Sequence, residues 1–133
     1  MYTLDIKSLF LILCRNARNS YIHTKHEKTY IYNIMRIITR GRLLSFAEKH
    51  RDAGTALDAW YRLAKSAKWQ SFNELKKSVG TADVAGKFTI FNIKGNQYRL
   101  IVDIQYQKQI IYIKYVLTHK EYDKDQWKRD PYY

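Results

Sequence analysis

Residues 118–123 read Thr-His-Lys-Glu-Tyr-Asp, a histidine, a lysine, two acids and a tyrosine in six positions. Three chemistries suit them. The first is a helix start: Thr118-x-x-Glu121 is a capping box, with Leu117 and Tyr122 at the N′ and N4 positions of a hydrophobic staple. The second is a metal site, because His119, Glu121, Asp123 and Asp125 alternate. On a helix, a period of two scatters ligands around the axis. With no second histidine at i+4 and no EF-hand loop, we expect no metal. The third is phosphate chemistry. As first helical residues, His119 and Lys120 sit at the positive end of a helix dipole, which attracts phosphate and penalises a protonated imidazole. A neutral histidine beside a phosphate can act as general base. A lone histidine is more often structural or merely exposed.

The strand-like run QYRLIVDIQY (97–106) supplies a cation. Its alternation sets Tyr98, Leu100, Val102, Ile104 and Tyr106 on one face and Arg99, Ile101, Asp103 and Gln105 on the other. An arginine on a strand face without a partner is costly, so Arg99 reads as functional. These groups suit metal-free RNA cleavage. The 2′-OH attacks the adjacent phosphate, and the protein supplies a proton acceptor, cations for the phosphorane and a donor to the leaving 5′-oxygen. Arg99, His119, Lys120 and Tyr122 can fill those roles, with Arg99 suited to bidentate phosphate contact. Each has a plainer reading. Tyr122 serves equally as a staple residue, Asp123 as a solvated helix acid, Asn96 as a turn residue, and Lys76 and Lys77 as solvated charge.

Elements must carry these residues. MRIIT (35–39) reads as a strand and RLLSFAEKH (42–50) as a helix. AGTALDAWYRLAKSAKW (53–69) is a stronger helix, with Leu57, Trp60, Tyr61 and Ala64 on one stripe and Arg62, Lys65 and Lys68 off it. Ser71 and Glu74 form a capping box for a short segment carrying Lys76 and Lys77. KFTIFNI (87–93), the turn at 94–96, residues 97–106, a turn near Gln107–Lys108 and QIIYIKYVL (109–117) form an antiparallel meander, since the connections are too short for parallel crossovers. Helices before a meander give an α+β fold, helices on one sheet face, the other partly open around Arg99. A last helix is expected from about His119 to about Arg129, packed down by Trp127.

The whole chain has 133 residues, enough for one core, and a net charge of +12 from 24 basic and 12 acidic residues. That excess points to a polyanionic partner, although many small basic proteins are merely soluble. A single cysteine, Cys14, gives no disulfide pair, and the longest apolar run, residues 9–14, is short of the roughly 20 residues of a spanning helix. We therefore expect a cytoplasmic protein with no membrane partner. Residues 1–34 differ from the remainder, lacking Gly, Pro and Trp. We read them as an N-terminal extension, either a translated leader or a helix that docks on a partner, and 35–133 as the working domain. The latter keeps 19 basic residues (12 Lys and 7 Arg) against 10 acids, so 19 − 10 leaves it at +9.

From Met35 onward the chain resembles the HigB-type toxins of bacterial toxin–antitoxin systems, a branch of the RelE-like superfamily. The matching pieces are MRIIT, AWYRLAKSAKW, NELKKSVGTADV, FNIKGNQYRLIVDIQY and YIKYVLTHKEYDK, of which the stretches 95–100 and 118–123 are the specific ones. The resemblance implies a small antiparallel sheet packed on N-terminal helices, with a short C-terminal helix. It implies a ribosome-dependent mRNA interferase with no cofactor. Its implied partners are a HigA-type helix-turn-helix antitoxin, the ribosome and mRNA, with operator DNA reached only through the antitoxin complex. The family's Arg in GN-x-x-R falls on Arg99, and its TH-x-x-YD stretch on Thr118, His119, Tyr122 and Asp123. On that basis Arg99 stabilises the transition state, His119 transfers a proton, and Tyr122 stacks or donates. Lys120 binds phosphate, and Lys68, Lys76 and Lys77 contact RNA phosphates. The alternative is a non-catalytic basic module that binds RNA or the ribosome.

Overall fold

In the computed structural model the alternation of residues 98–105 becomes β6, the middle strand of a five-stranded sheet. The structure describes residues 34–133, and before them the backbone of two short antiparallel strands, β1 (Ile22–Thr24) and β2 (Glu27–Thr29). The chain divides into two compact units, Met1–Asn33 and Ile34–Tyr133. The helix expected near the start of the chain lies outside the described residues.

The second unit runs β3 (Arg36–Ile38), α1 (Gly41–Lys49), a 3-10 turn (Arg51–Ala53), α2 (Gly54–Ser66), α3 (Phe72–Ser78), β4 (Asp83–Ala85), β5 (Phe88–Ile93), β6 (Tyr98–Gln105), β7 (Ile110–Thr118), α4 (His119–Asp123) and a 3-10 turn (Gln126–Arg129). The sheet order is β3-β7-β6-β5-β4. The expected α+β class and meander are present, but the sheet is mixed. β3 lies parallel to β7, because the whole helical layer intervenes and supplies the long crossover that parallel pairing requires.

Helix stripes and strand alternation meet as expected. Leu57, Trp60 and Ala64 of α2 pack with Leu100, Val102 and Ile104 in one core on the helix side. Ser71 caps α3 by accepting from the Glu74 N–H at 3.3 Å, while the Glu74 carboxylate reaches back to the Gln70 N–H at 2.8 Å. A positive φ of 74° at Thr39, between β3 and α1, is strained for a β-branched residue.

The opposite sheet face is less open than its sequence suggests. Phe88, Ile90 and Ile101 are covered there by Trp127. The last helix stops early, at Asp123, because Asp125 turns left-handed (φ 56°). The chain then doubles back, and Trp127 buries against the sheet where a continued helix would have carried it away. A β-bulge helps to hold this tail. Ile101 pairs with Tyr115 but Val102 with Ile113, so Lys114 is the extra residue on β7. Lys114 and the adjacent Tyr115 thereby both reach Asp130, at 3.1 and 2.7 Å. Beyond Tyr112, β7 has no β3 neighbour, and Arg42 of α1 donates instead to the carbonyls of Ile113 and Lys114.

Candidate active site

The β5–β6 turn fixes the arginine. Lys94 and Gly95 both take positive φ (51° and 63°), a tight reversal that glycine adopts freely. The turn leaves Asn96 facing the start of β6. Arg99 Nη1 donates to the carbonyls of Asn96 (3.0 Å) and Tyr98 (3.2 Å), and Nη2 donates to Asn96 Oδ1. Arg99 is 9% exposed, and among the described residues no carboxylate lies within ion-pair distance of it. Its acceptors are neutral dipoles. They orient the fork without cancelling its charge, which suits it to an incoming anion.

The second half of the site is α4. Thr118 Oγ1 accepts from the Glu121 N–H at 3.2 Å, as the capping box predicts. The His119 N–H donates to the Gln97 carbonyl at 3.1 Å, so the same turn that orients Arg99 also seats His119. His119 Nδ1 lies 2.9 Å from Asp123 Oδ2. A carboxylate only accepts, so in the neutral imidazole the proton resides on Nδ1. Nε2 then presents a free lone pair.

Tyr122 completes the cluster. The Arg99 guanidinium lies 5.4 Å from its ring centroid, and the Trp127 ring stacks on it at 5.2 Å. Trp127 Nε1 donates to the Tyr122 carbonyl at 3.1 Å. Burial pushes the Tyr122 phenol up from its ordinary value, partly opposed by Arg99 and Lys128, so it stays protonated at neutral pH. Leu117 and Tyr122 both pack against the Trp127 cluster, as a staple requires. The ring thus does two things at once: it closes the helix start and lies against Arg99.

The tail beneath it is pinned at Asp130. Burial raises that carboxyl's pKa, but the Tyr132 N–H, the Tyr115 hydroxyl and Lys114 together outweigh burial and hold it below the usual carboxylate range.

The lysines separate into two groups. Lys120 is exposed on α4 beside His119. Lys68, Lys76 and Lys77 belong to the helical layer. Lys68 is exposed next to Trp69, whose carbonyl accepts from Gln109 Nε2 at 2.8 Å, at the β6–β7 turn and so at the opposite end of these strands from Asn96. Lys76 Nζ donates to the Ala82 carbonyl at 2.6 Å, and Lys77 is exposed on the same helix. The fold places Lys68 away from the Arg99–His119 cluster. It adds Asn96 and Asp123, which read from sequence as turn and solvent residues. The i, i+4 spacing of His119 and Asp123 was the available signal for the second, and the GN-x-x-R motif, which sets Asn96 three residues before Arg99, for the first. Among the described residues no group of three or more His, Cys, Asp or Glu converges into a metal site, and no helix is long and apolar enough to cross a membrane.

Comparison with known proteins bears on this cluster. A family model described as HigB toxin, RelE-like toxic component of a toxin–antitoxin system, matches residues 53–125. That span contains Arg99, His119, Tyr122 and Asp123. The chain is 34% identical over 92 residues to the mRNA interferase toxin HigB of Escherichia coli K12, covering 67% of this chain and 88% of that protein. The mRNA interferase HigB of Shigella flexneri matches to the same extent. An mRNA interferase HigB of Escherichia coli O6:H1 is 26% identical over 93 residues, covering 68% of this chain and 90% of its own length.

Proposed function

Because the chain belongs to the HigB family, the RelE-like toxic components of toxin–antitoxin systems, we propose that it is an endoribonuclease that cleaves mRNA on the translating ribosome and so arrests growth. The observation that carries this reading is the meeting of Arg99 and the His119–Asp123 pair on one turn, with no carboxylate among the described residues within ion-pair distance of the arginine.

In this mechanism His119 Nε2 takes the proton from the RNA 2′-OH as that oxygen attacks the neighbouring phosphorus. Asp123 holds the tautomer and stabilises the imidazolium that forms. Arg99 donates to the non-bridging oxygens as charge builds on the phosphorane, where preorganised donors act most strongly. The 5′-oxygen leaves with a proton from the Tyr122 hydroxyl. Water then returns that proton and takes the one held by His119, and the products are a 2′,3′-cyclic phosphate and a 5′-hydroxyl. No metal or cofactor takes part. Tyr122 is protonated and near Arg99, which suits it to hydrogen-bond donation to the leaving oxygen. Its ring already lies against Arg99 and Trp127, which argues against base stacking. Lys120 contributes phosphate binding at the site. Lys68, Lys76 and Lys77 contribute a separate electrostatic contact with ribosomal or messenger RNA.

The protein acts in the cytoplasm. A HigA-type helix-turn-helix antitoxin neutralises it, and the pair binds operator DNA through the antitoxin. Residues 35–133 are the working domain. Residues 1–34 are a translated leader in this reading, and a chain lacking them should arrest growth as the full one does.

The test is primer extension on mRNA translated with and without the protein. Cleavage within translated frames is expected, abolished by Arg99→Ala or His119→Ala in folded variants. Salt-dependent RNA binding without any new 5′ ends would identify a non-catalytic RNA- or ribosome-binding module instead.

A further inference from the structure

Resting on the cleavage reading above, we infer that Asp52 is a positioning residue for both halves of the active site. It sits in the 3-10 turn between α1 and α2, far in sequence from the residues it would serve.

The turn of residues 94–97 is the common support of the site. Its Asn96 orients Arg99, its Gln97 carbonyl receives the His119 N–H, and the flanking Tyr98 pairs across the sheet with Thr118, the cap of α4. Such a turn has one weak point. Lys94 holds a φ of 51°, in the left-handed region that side chains other than Gly, Asn and Asp adopt reluctantly.

Asp52 reaches across and ties both ends of this turn. Its Oδ2 lies 2.9 Å from Lys94 Nζ at the first residue. Its two oxygens accept from the Tyr98 hydroxyl, at 2.7 and 2.8 Å, just past the last. The Tyr98 ring is buried and wedged edge-on against Phe46 of α1 at 5.4 Å. The clamp is therefore anchored in the helical core, and the carboxylate transmits that rigidity to the turn. The Lys94 ammonium and the Tyr98 hydroxyl both hold the Asp52 carboxyl below its ordinary range, so it is ionised wherever the protein works. Loss of the clamp frees the strained Lys94, and with it the two groups whose spacing the chemistry requires. Misplacements of about 1 Å at a reacting centre cost on the order of 100-fold in rate.

The experiment compares wild type, Asp52→Ala and Asp52→Asn in two measurements. The first is the single-turnover cleavage rate at saturating programmed ribosomes, beside the ribosome concentration giving half the maximal rate. Asp52→Ala should lower the saturated rate about 10-fold or more and leave the half-saturating concentration within 2-fold. Asp52→Asn, which keeps an acceptor for Tyr98, should fall between. In an Asn96→Ala background, where Arg99 has lost its side-chain acceptor in the turn and keeps only backbone carbonyls, adding Asp52→Ala should cost less than it does alone. A merely structural role would lower the active fraction equally in either background. The second measurement needs no catalysis: the Arg99 Nε–H and His119 ring resonances should be sharp in wild type and broadened in Asp52→Ala. Unchanged resonances together with a saturated rate within 2-fold of wild type would overturn the inference and leave the cleavage reading intact. If wild type cleaves nothing, the cleavage reading falls, and the resonances alone decide whether Asp52 fixes these two side chains.

Discussion

Removing Asp123 separates the two partners of the His119 contact. The carboxylate lies 2.9 Å from Nδ1, and the two side chains are 46% and 60% exposed. An exposed pair of this kind is worth about 0–1 kcal/mol. Asp123→Ala should therefore change unfolding by urea by no more than about 1 kcal/mol. Its effect on catalysis has a similar ceiling. The imidazole remains and can still take a proton; what is lost is the bias toward the Nδ1–H tautomer and the stabilisation of the imidazolium. About 1 kcal/mol corresponds to roughly a 5-fold fall in rate. His119→Ala removes the general base itself and should cost about 10²–10⁴-fold. The assay is single-turnover cleavage of a translated message, with both variants at equal ribosome occupancy. The two numbers should differ by at least an order of magnitude. Equal losses would refute this division of labour, since Asp123 would then be handling the proton. A His119→Ala rate within 3-fold of wild type would remove the histidine from the chemistry altogether.

Trp127→Ala should destabilise the domain by about 3–5 kcal/mol, the usual cost of emptying a buried aromatic site, and it should unstack Tyr122; Trp127→Phe, losing mainly the donor to the Tyr122 carbonyl, should cost closer to about 1 kcal/mol. Thermal melts check both. Thr39→Gly should relieve a backbone strain of about 1–3 kcal/mol at φ 74° against about 0.5–1 kcal/mol of added unfolded-state freedom, so its melting temperature should not fall. Asp130 has a folded pKa below its unfolded one, so its stabilisation is complete above the ordinary aspartate pKa of about 3.9 and is lost as pH drops through the folded value. Asp130→Asn should therefore flatten the acid limb of the stability–pH curve, and a limb as steep as that of wild type would count against the tail anchor.

What could be read from the sequence was what is local. The Ser71 and Thr118 caps depend on residues three apart, and the Leu57–Trp60–Ala64 stripe on one turn of helix, so spacing alone reveals them. The meander followed from short connections. The parallel pairing of β3 with β7, the bulge at Lys114 and the Asp52 clamp each join distant segments and leave no periodic mark. For the site, Arg99 and His119 stood out by residue type and position. Asn96 and Asp123 stood out only as members of the GN-x-x-R and TH-x-x-YD stretches, because by type alone a turn asparagine and a helix acid look the same whether or not they hold a functional group. The expected helix to Arg129 failed for a related reason. Propensity carried it forward, whereas burial of Trp127 on the sheet required a left-handed break at Asp125.

Arg42 bears on more than the geometry of one bulge. The stretch of β7 leading to His119 has lost its neighbour strand, and bare carbonyls on such an edge will accept the backbone of any extended chain, including another copy of this one. Arg42 covers two of those carbonyls with a charged group. An incoming strand would have to dislodge the guanidinium before its own amides could pair. Among the described residues, the strand that leads into the site can therefore run on past its β3 neighbour without inviting assembly into fibres.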